Sequence, residues 1–310
     1  DSNGEAIDVF PVNDPVAAAS GVNLQKRDRQ SYAILSQVAA EYRGVFGNLT
    51  VNAGARLPFF KRDLQNNCYT SSASGFVECS GGDPALDTAI GAFNPYVVNP
   101  ATGTVVSGYS PPGHRVLKYS KLLPSVGAVY HFTPRISAFA SYSKGLSVPS
   151  TDNLYNAFYF PAGTSEAEPK PETTNSFDGG LRYRSSKVQA QVATWYTRFN
   201  DRSASAFDPE LNLTVFRNLG RVNKWGIDGS IAYSPTAMLT AVAFGSWNQS
   251  KIQDNIQTGA LPAGSSCDTV DPTVPNNTRL CAFTAGKRES GQPGYMYGTS
   301  LNAKLGLVDL

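Results

Sequence analysis

Phe177-Asp-Gly-Gly-Leu-Arg-Tyr-Arg-Ser-Ser-Lys-Val-Gln-Ala-Gln-Val-Ala-Thr-Trp-Tyr196 decides the fold. In its first half Phe177, Leu181 and Tyr183 alternate with Asp178, Arg182 and Arg184. In its second half Val188, Ala190, Val192 and Tyr196 alternate with Gln189 and Gln191. A period of two is the period of a strand, and it places the apolar set on one face and the polar set on the other. Residues 185–187 leave room only for a tight turn. The stretch reads as an antiparallel hairpin with one apolar and one polar face.

The same pattern spreads in both directions. In residues 48–57, Leu49, Val51, Ala53, Ala55 and Leu57 share a face opposite Asn48, Thr50, Asn52 and Arg56. In residues 225–233, Trp225, Ile227, Ile231 and Tyr233 oppose Asp228 and Ser230. Residues 125–132 and 239–248 alternate less cleanly, because Val129 and Phe244 fall on the polar side. Tight turns are expected at 43–47, 133–135, 185–187 and 234–236, and long Gly/Pro-rich connections at 61–115, 146–173, 203–213 and 252–293. Short turns at one end and long loops at the other describe an all-β antiparallel meander with two unlike ends. Transmembrane β-barrels are built this way.

Aromatic placement bears on what meets the apolar face. Tyr42, Tyr130 with Phe132, Tyr183 and Tyr233 stand just before the tight turns, and Tyr142, Tyr196 and Trp247 stand at the far strand ends. Such rings favour a lipid–water boundary, where one edge is dry and the other is wet. Val188 to Tyr196 spans roughly 26 Å along the strand, or about 20 Å after a tilt of ~40°, close to the ~25 Å apolar band of a barrel. The soluble alternative is a β-sandwich with aromatic corners. It gives no reason for four aromatics at the same end of four hairpins.

The chain has 310 residues, 41% of them hydrophobic, with 28 Gly, 20 Pro, 15 Tyr and 16 Phe but only 2 Met, a composition that favours strands and turns. No apolar run approaches the ~20 residues of a transmembrane helix. A net charge of +2 gives no case for nucleic acid. The opening Asp1-Ser2-Asn3-Gly4 is expected of a mature or truncated chain. Cys68 and Cys79 both fall in the first long connection, and Cys267 and Cys281 in the last. Neither pair has metal-site spacing, so two local disulfides are expected, with four free thiols as the alternative. Such bridges persist at cell surfaces.

Several segments carry more than a pattern. Leu123-Pro-Ser-Val-Gly-Ala-Val-Tyr130 continues through His131-Phe-Thr-Pro-Arg to Ala140-Ser-Tyr-Ser-Lys-Gly-Leu-Ser-Val-Pro149. Lys170-Pro-Glu-Thr-Thr-Asn-Ser-Phe-Asp-Gly-Gly-Leu-Arg-Tyr183 and Asn218-Leu-Gly-Arg-Val-Asn-Lys-Trp-Gly-Ile-Asp-Gly-Ser230 follow. In order and spacing, over residues 32–252, this succession resembles the barrel domain of the TonB-dependent receptors of Gram-negative outer membranes. Asp178 and Asp228 stand where that family usually has Glu, which keeps the carboxylate with a shorter reach. The resemblance implies a barrel of about 22 strands, plugged by an N-terminal domain. Residues 1–310 are therefore expected to be an internal fragment of the barrel, with about nine or ten strands, lacking the plug domain and the C-terminal strands. The implied partners are outer-membrane lipid and lipopolysaccharide, the plug and TonB in the full-length protein, and a small-molecule ligand such as a ferric chelate.

No catalytic set, no metal cluster and no cofactor motif is found in the sequence, and an enzyme is not expected. His131 sits beside a short turn, and His114 falls in a long connection with no evident partner. The candidate ligand-binding surface is the aromatic run of the second long connection, Tyr155, Phe158, Tyr159 and Phe160. The alternative is that these rings pack the loop against its neighbours. Asp178, Arg182, Gln189, Gln191 and Asp228 are expected to face the lumen. Arg182, Arg184, Arg217, Arg221 and Lys224 are further anion-meeting candidates, with charge balance against carboxylates as the competing role for Arg182 and Arg184. The functional reading is energised uptake of a scarce nutrient, a ferric siderophore above all. A passive porin-like or structural barrel is the alternative.

Overall fold

In the computed structural model the described residues are 16–17, 23–24, 27–72, 77–101, 103, 105–164, 167–208, 213–257, 265–275, 281–289, 291, 293–305 and 308–309. One eleven-stranded antiparallel sheet dominates them. Its strands are β1 (Arg29–Phe46), β2 (Leu49–Asn66), β3 (Gly113–Ser120), β4 (Leu123–His131), β5 (Ile136–Ser147) and β6 (Glu172–Arg184). They continue as β7 (Val188–Asn200), β8 (Val222–Thr236), β9 (Leu239–Ile252), β10 (Tyr295–Leu305) and β11 (Val308–Asp309).

β3 and β4 pair with the two halves of β2 in one unbroken register, from Asn66↔Gly113 through Phe59↔Ser120 to Arg56↔Leu123 and Leu49↔Tyr130. The break at Lys121 and Leu122 lies across from Pro58, which has no N–H to give the ladder. Counted as one strand, and with two-residue β11 set aside, they leave nine strands of at least 11 residues, each pairing with the next in sequence. That is the length a tilted transmembrane strand needs.

Two of the short turns are shorter than the sequence suggests. Gly47 and Asn48 alone join β1 to β2, with Gly47 at φ 62°, a conformation glycine adopts at no steric cost. Between β8 and β9 the turn falls at Ala237–Met238, beyond a register irregularity between Tyr233 and Thr236 that houses Pro235. The first long connection is shorter than the expected 61–115, because β2 runs on to Asn66 and β3 starts at Gly113. Residues 203–208, expected within the 203–213 loop, pair with 213–218 as a two-stranded ribbon of their own. Of the strand expected over 301–310, Gly306, Leu307 and Leu310 lie outside the described residues, as do residues 1–15 ahead of β1.

Register partners share a face, so one rung can be followed across the sheet. Tyr142, Phe177, Tyr196 and Trp225 form one such rung across β5 to β8. Ala138, Leu181, Val192 and Gly229 form another nearer the short turns. This apolar face is bare: Phe177, Leu181, Val192, Ile227 and Ile231 are each between 44% and 51% exposed. Leu49 and Val51 are partly exposed. A soluble sandwich would bury these side chains against a second layer. The sizeable buried apolar cluster among the described residues lies elsewhere, on the polar face at the long-loop end. It comprises Leu64, Leu117, Leu154, Tyr155 and Phe158.

Candidate ligand site at the mouth

Leu64 and Leu117 belong to the polar-face sets of β2 and β3, one position out of phase with Phe59, Lys61 and Lys118. The second long connection, 148–171, therefore folds inward over that face. Its first turn is α1 (Thr151–Asn156), followed by a 3-10 turn (Ala157–Tyr159). Tyr155 is 3% exposed and Phe158 2%, and their rings stack 5.7 Å apart. The Tyr155 hydroxyl reaches the carbonyls of Gln30 and Gln65 at 2.9 and 3.2 Å. Burial raises the pKa of this hydroxyl, so it stays a donor. The Arg29 guanidinium lies over the Tyr155 ring at 4.4 Å.

Arg115 of β3 holds the same segment by its backbone. Its guanidinium donates to the carbonyl of Ala157 at 2.6 Å and to that of Phe160, and stands 4.8 Å from the centre of the Phe158 ring. A planar fork of five donors suits a cluster of carbonyls in this way. Ser110 closes the other side, donating to the Phe158 carbonyl at 2.7 Å. Tyr96 donates to the Tyr159 carbonyl, and the two rings meet edge-on at 6.2 Å. Between the two loops a cleft of about 250 Å³ is lined by Tyr96, Pro112, His114, Arg115, Phe158 and Phe160.

Of the four aromatic candidates, Tyr155 and Phe158 are thus buried anchors of the loop, Phe158 as part of the cleft wall. Tyr159 and Phe160 keep partial exposure. His114 is a strand residue with a partner, since its Nε2 lies 2.6 Å from Asp63, which Lys61 also meets at 2.9 Å. The sequence carried no signal for Arg115, because a lone arginine between Pro112 and Val116 has no motif around it.

A second tie crosses the mouth from the other side. Arg202 bonds both oxygens of Glu172 at 3.1 and 2.9 Å and reaches Glu289 at 3.2 Å. Lys224, 4% exposed, meets the other oxygen of Glu289 at 2.5 Å. Both cations lie over the Phe199 ring, at 4.7 and 5.1 Å. Lys224, a candidate for anions from outside, is thus engaged with a carboxylate of its own chain. Arg221 is engaged likewise by Asp254 at 2.6 Å. The Arg217 side chain lies outside the described residues. Cys68 and Cys79 are disulfide-bonded within the first loop, and Cys267 and Cys281 within the last.

Asp178, Arg182, Gln189, Gln191 and Asp228 occupy the polar face. Arg182 and Arg184 are the register partners of Gln191 and Gln189. Arg182 donates to Gln191 at 2.8 Å and lies 4.1 Å over the Phe139 ring. Ser246 donates to Asp228, its partner across β8 and β9. The aromatics on this face are seated on glycines. Added Cβ atoms would lie 2.8 Å from the Trp195 ring at Gly226, 2.9 Å from Phe139 at Gly180 and 2.6 Å from Phe244 at Gly298. That gives Phe244, out of pattern in the sequence, its physical place.

A meander of nine spanning strands with one bare apolar face, aromatic rows at both ends and long loops at one end defines a segment of an outer-membrane β-barrel. The chain belongs to the TonB dependent receptor-like β-barrel family, whose model matches residues 2–295. Members are outer-membrane transporters, not enzymes. Among solved structures, the chain is similar to the FrpB iron transporter from Neisseria meningitidis (F3-3 variant), with a TM-score of 0.52 and 15% identity over 91% of this chain and 32% of that one. It is also similar to the ferric yersiniabactin uptake receptor FyuA from Yersinia pestis, with a TM-score of 0.51 and 15% identity over 89% of this chain and 32% of that one. At this identity the likeness concerns the fold. The chain spans about a third of the length of both.

Proposed function

We propose that this chain is part of a receptor that takes up a scarce nutrient across the outer membrane, with a ferric siderophore as cargo and TonB supplying the drive. The carrying observation is the mouth: two long loops fold back over the lumen face, and one of them meets the first loop in an aromatic cleft. Family membership supports the energised reading, and nothing in the comparisons favours a passive pore. Both structural relatives are named for iron or a ferric chelate. In this reading further strands and a plug domain from the rest of the protein complete the barrel. Outer-membrane lipid and lipopolysaccharide cover the apolar face.

Tyr159 and Phe160 are the ligand-facing members of the aromatic run, and Tyr155 and Phe158 hold them in place. Replacing Tyr159 and Phe160 together by Ala in the full-length receptor is expected to weaken ferric-chelate binding to cells by about 1–3 kcal/mol, with surface expression unchanged. Equal binding by the double variant would remove the cleft from the ligand path. Uptake that persists in cells lacking TonB would remove the energised reading.

A further inference from the structure

On the polar face of β1, β2 and β3 the charged side chains are Arg29, Arg43, Arg56, Arg62, Arg115 and Glu41. Glu41 is the single carboxylate in that set. Arg29 and Arg115 fasten the inward-folded loop, through the Tyr155 ring and through the carbonyls of Ala157 and Phe160. The others are uncommitted. Arg43, Arg56 and Arg62 form no ion pair among the described residues. The Arg62 Nε is buried without a hydrogen-bond partner, and Arg43 and Arg56 are exposed. These side chains stand in file. Arg62 is the register partner of Leu117, at the foot of the buried cluster. Arg56 follows about 20 Å along β2, and Arg43, the partner of Asn52, a further ~13 Å toward the short turns. Both separations exceed the ~8 Å screening length of physiological salt, so each guanidinium acts alone and stays charged. On β6 and β8 the same face is balanced instead, with Glu172, Asp178 and Asp228 beside Arg182, Arg184 and Lys224. A wall of uncompensated cations draws anions, and a narrow space between low-dielectric walls concentrates the field.

We propose that the β1–β2 wall is the path of an anionic cargo through the barrel, with Arg62, Arg56 and Arg43 as successive contacts from the mouth to the short-turn end. Each guanidinium fork receives carboxylate oxygens in pairs. The cargo class is then a chelate that keeps net negative charge after the metal is bound. Single contacts spread along a wall hold an anion more weakly than one cluster would, which suits passage. The inference rests on the uptake reading of the proposed function and adds to it the charge of the cargo and the wall that it follows.

The test titrates full-length receptor in detergent at low salt with two octahedral ions of opposite charge, hexacyanoferrate(II) and hexaamminecobalt(III), by calorimetry. Wild type is expected to bind hexacyanoferrate(II), and more weakly as salt rises. Arg43→Gln/Arg56→Gln/Arg62→Gln should bind it about tenfold more weakly or worse. Arg62→Gln and Arg43→Gln should each cause part of that loss. The matching triple replacement by Lys keeps the charge and should keep most of the affinity, which guards against a folding defect. The Gln triple variant should bind hexaamminecobalt(III) at least as tightly as wild type. Arg198→Gln/Lys251→Gln, on the apolar face, should change nothing. Absence of hexacyanoferrate(II) binding by wild type overturns the proposal, as does undiminished binding by the Gln triple variant or an equal loss in the apolar-face control. A loss confined to Arg62→Gln would reduce the path to a site at the mouth and overturn it too. So would faster hydrogen exchange throughout the plug with anion binding unchanged, which would assign the arginines to plug carboxylates. A receptor that binds the anion as described but accumulates no iron in energised cells would count only against the proposed function.

Discussion

At the scale of single residues, close approach and charge pairing set what each position tolerates. A Cβ on Gly226 would lie 2.7 Å from the Trp247 carbonyl oxygen and 2.8 Å from the Trp195 ring, whereas at Gly229 the nearest atom is 4.0 Å away. Gly226→Ala is therefore expected to destabilise the barrel by about 1–3 kcal/mol, while Gly229→Ala is neutral in thermal melts of the full-length protein. Equal melting of the two variants would remove the close-packing argument. Asp254 shows a second control. Its hydrogen bond to the Arg221 side chain, chiefly, holds its pKa below the ordinary carboxylate value. A depressed folded pKa means the stabilisation is complete above the unfolded value of about 4 and is lost as pH falls through the lower folded value. The Arg221 amide, which donates to Asp254 at 2.6 Å, should stay protected from exchange at neutral pH. Asp254→Asn should weaken that protection at pH 7 but make no difference at the acid extreme. Protection that is identical at pH 7 in wild type and variant would contradict the assignment.

At the scale of elements, the mouth is built from loops fastened to strands by a few buried groups. Glu289 ties the last long loop to Lys224 of β8 and to Arg202, while its own N–H donates to Ser250 of β9 at 3.0 Å. Removing one partner of a buried ion pair strands the other and costs about 3–5 kcal/mol. Glu289→Ala should therefore speed hydrogen exchange at Ile252 and Gly286, whose backbones pair with the loop, and leave the Phe177–Tyr196 hairpin as it was. Unchanged exchange at both amides would show that Glu289 does not fasten the loop. The disulfide Cys267–Cys281 closes the loop independently, with a sequence separation of 14, and contributes about 3 kcal/mol in a chain-entropy account.

At the scale of the whole molecule, the sheet has two edges. Among the described residues no strand pairs with the free side of β1, an 18-residue strand. Unpaired backbone groups cannot be satisfied inside a bilayer. Expressed alone, this chain is expected to form no closed barrel. Its migration on a gel should be the same before and after heating, whereas the full-length receptor should shift. A heat-dependent shift by the isolated chain would mean that nine strands suffice for closure.

What the sequence determined by itself was local. Period-two alternation, short turns and aromatic rows at strand ends are properties of neighbouring residues, so Phe177–Tyr196 already contained the hairpin, its register and its two faces. Where alternation carries no contrast, the sequence was silent. Lys61, Asp63, Gln65 and Asn66 are polar on both faces, and the upper end of β2 was accordingly read as loop. Tertiary structure alone decided which loop aromatics are anchors and which are available. The Tyr155 hydroxyl bonds a carbonyl 125 residues away, and Arg202 meets Glu289 across 87 residues. Contacts at that separation depend on how loops fold over the finished sheet. A side chain's identity gives its capacity to pack or pair, and the fold supplies the surface it meets.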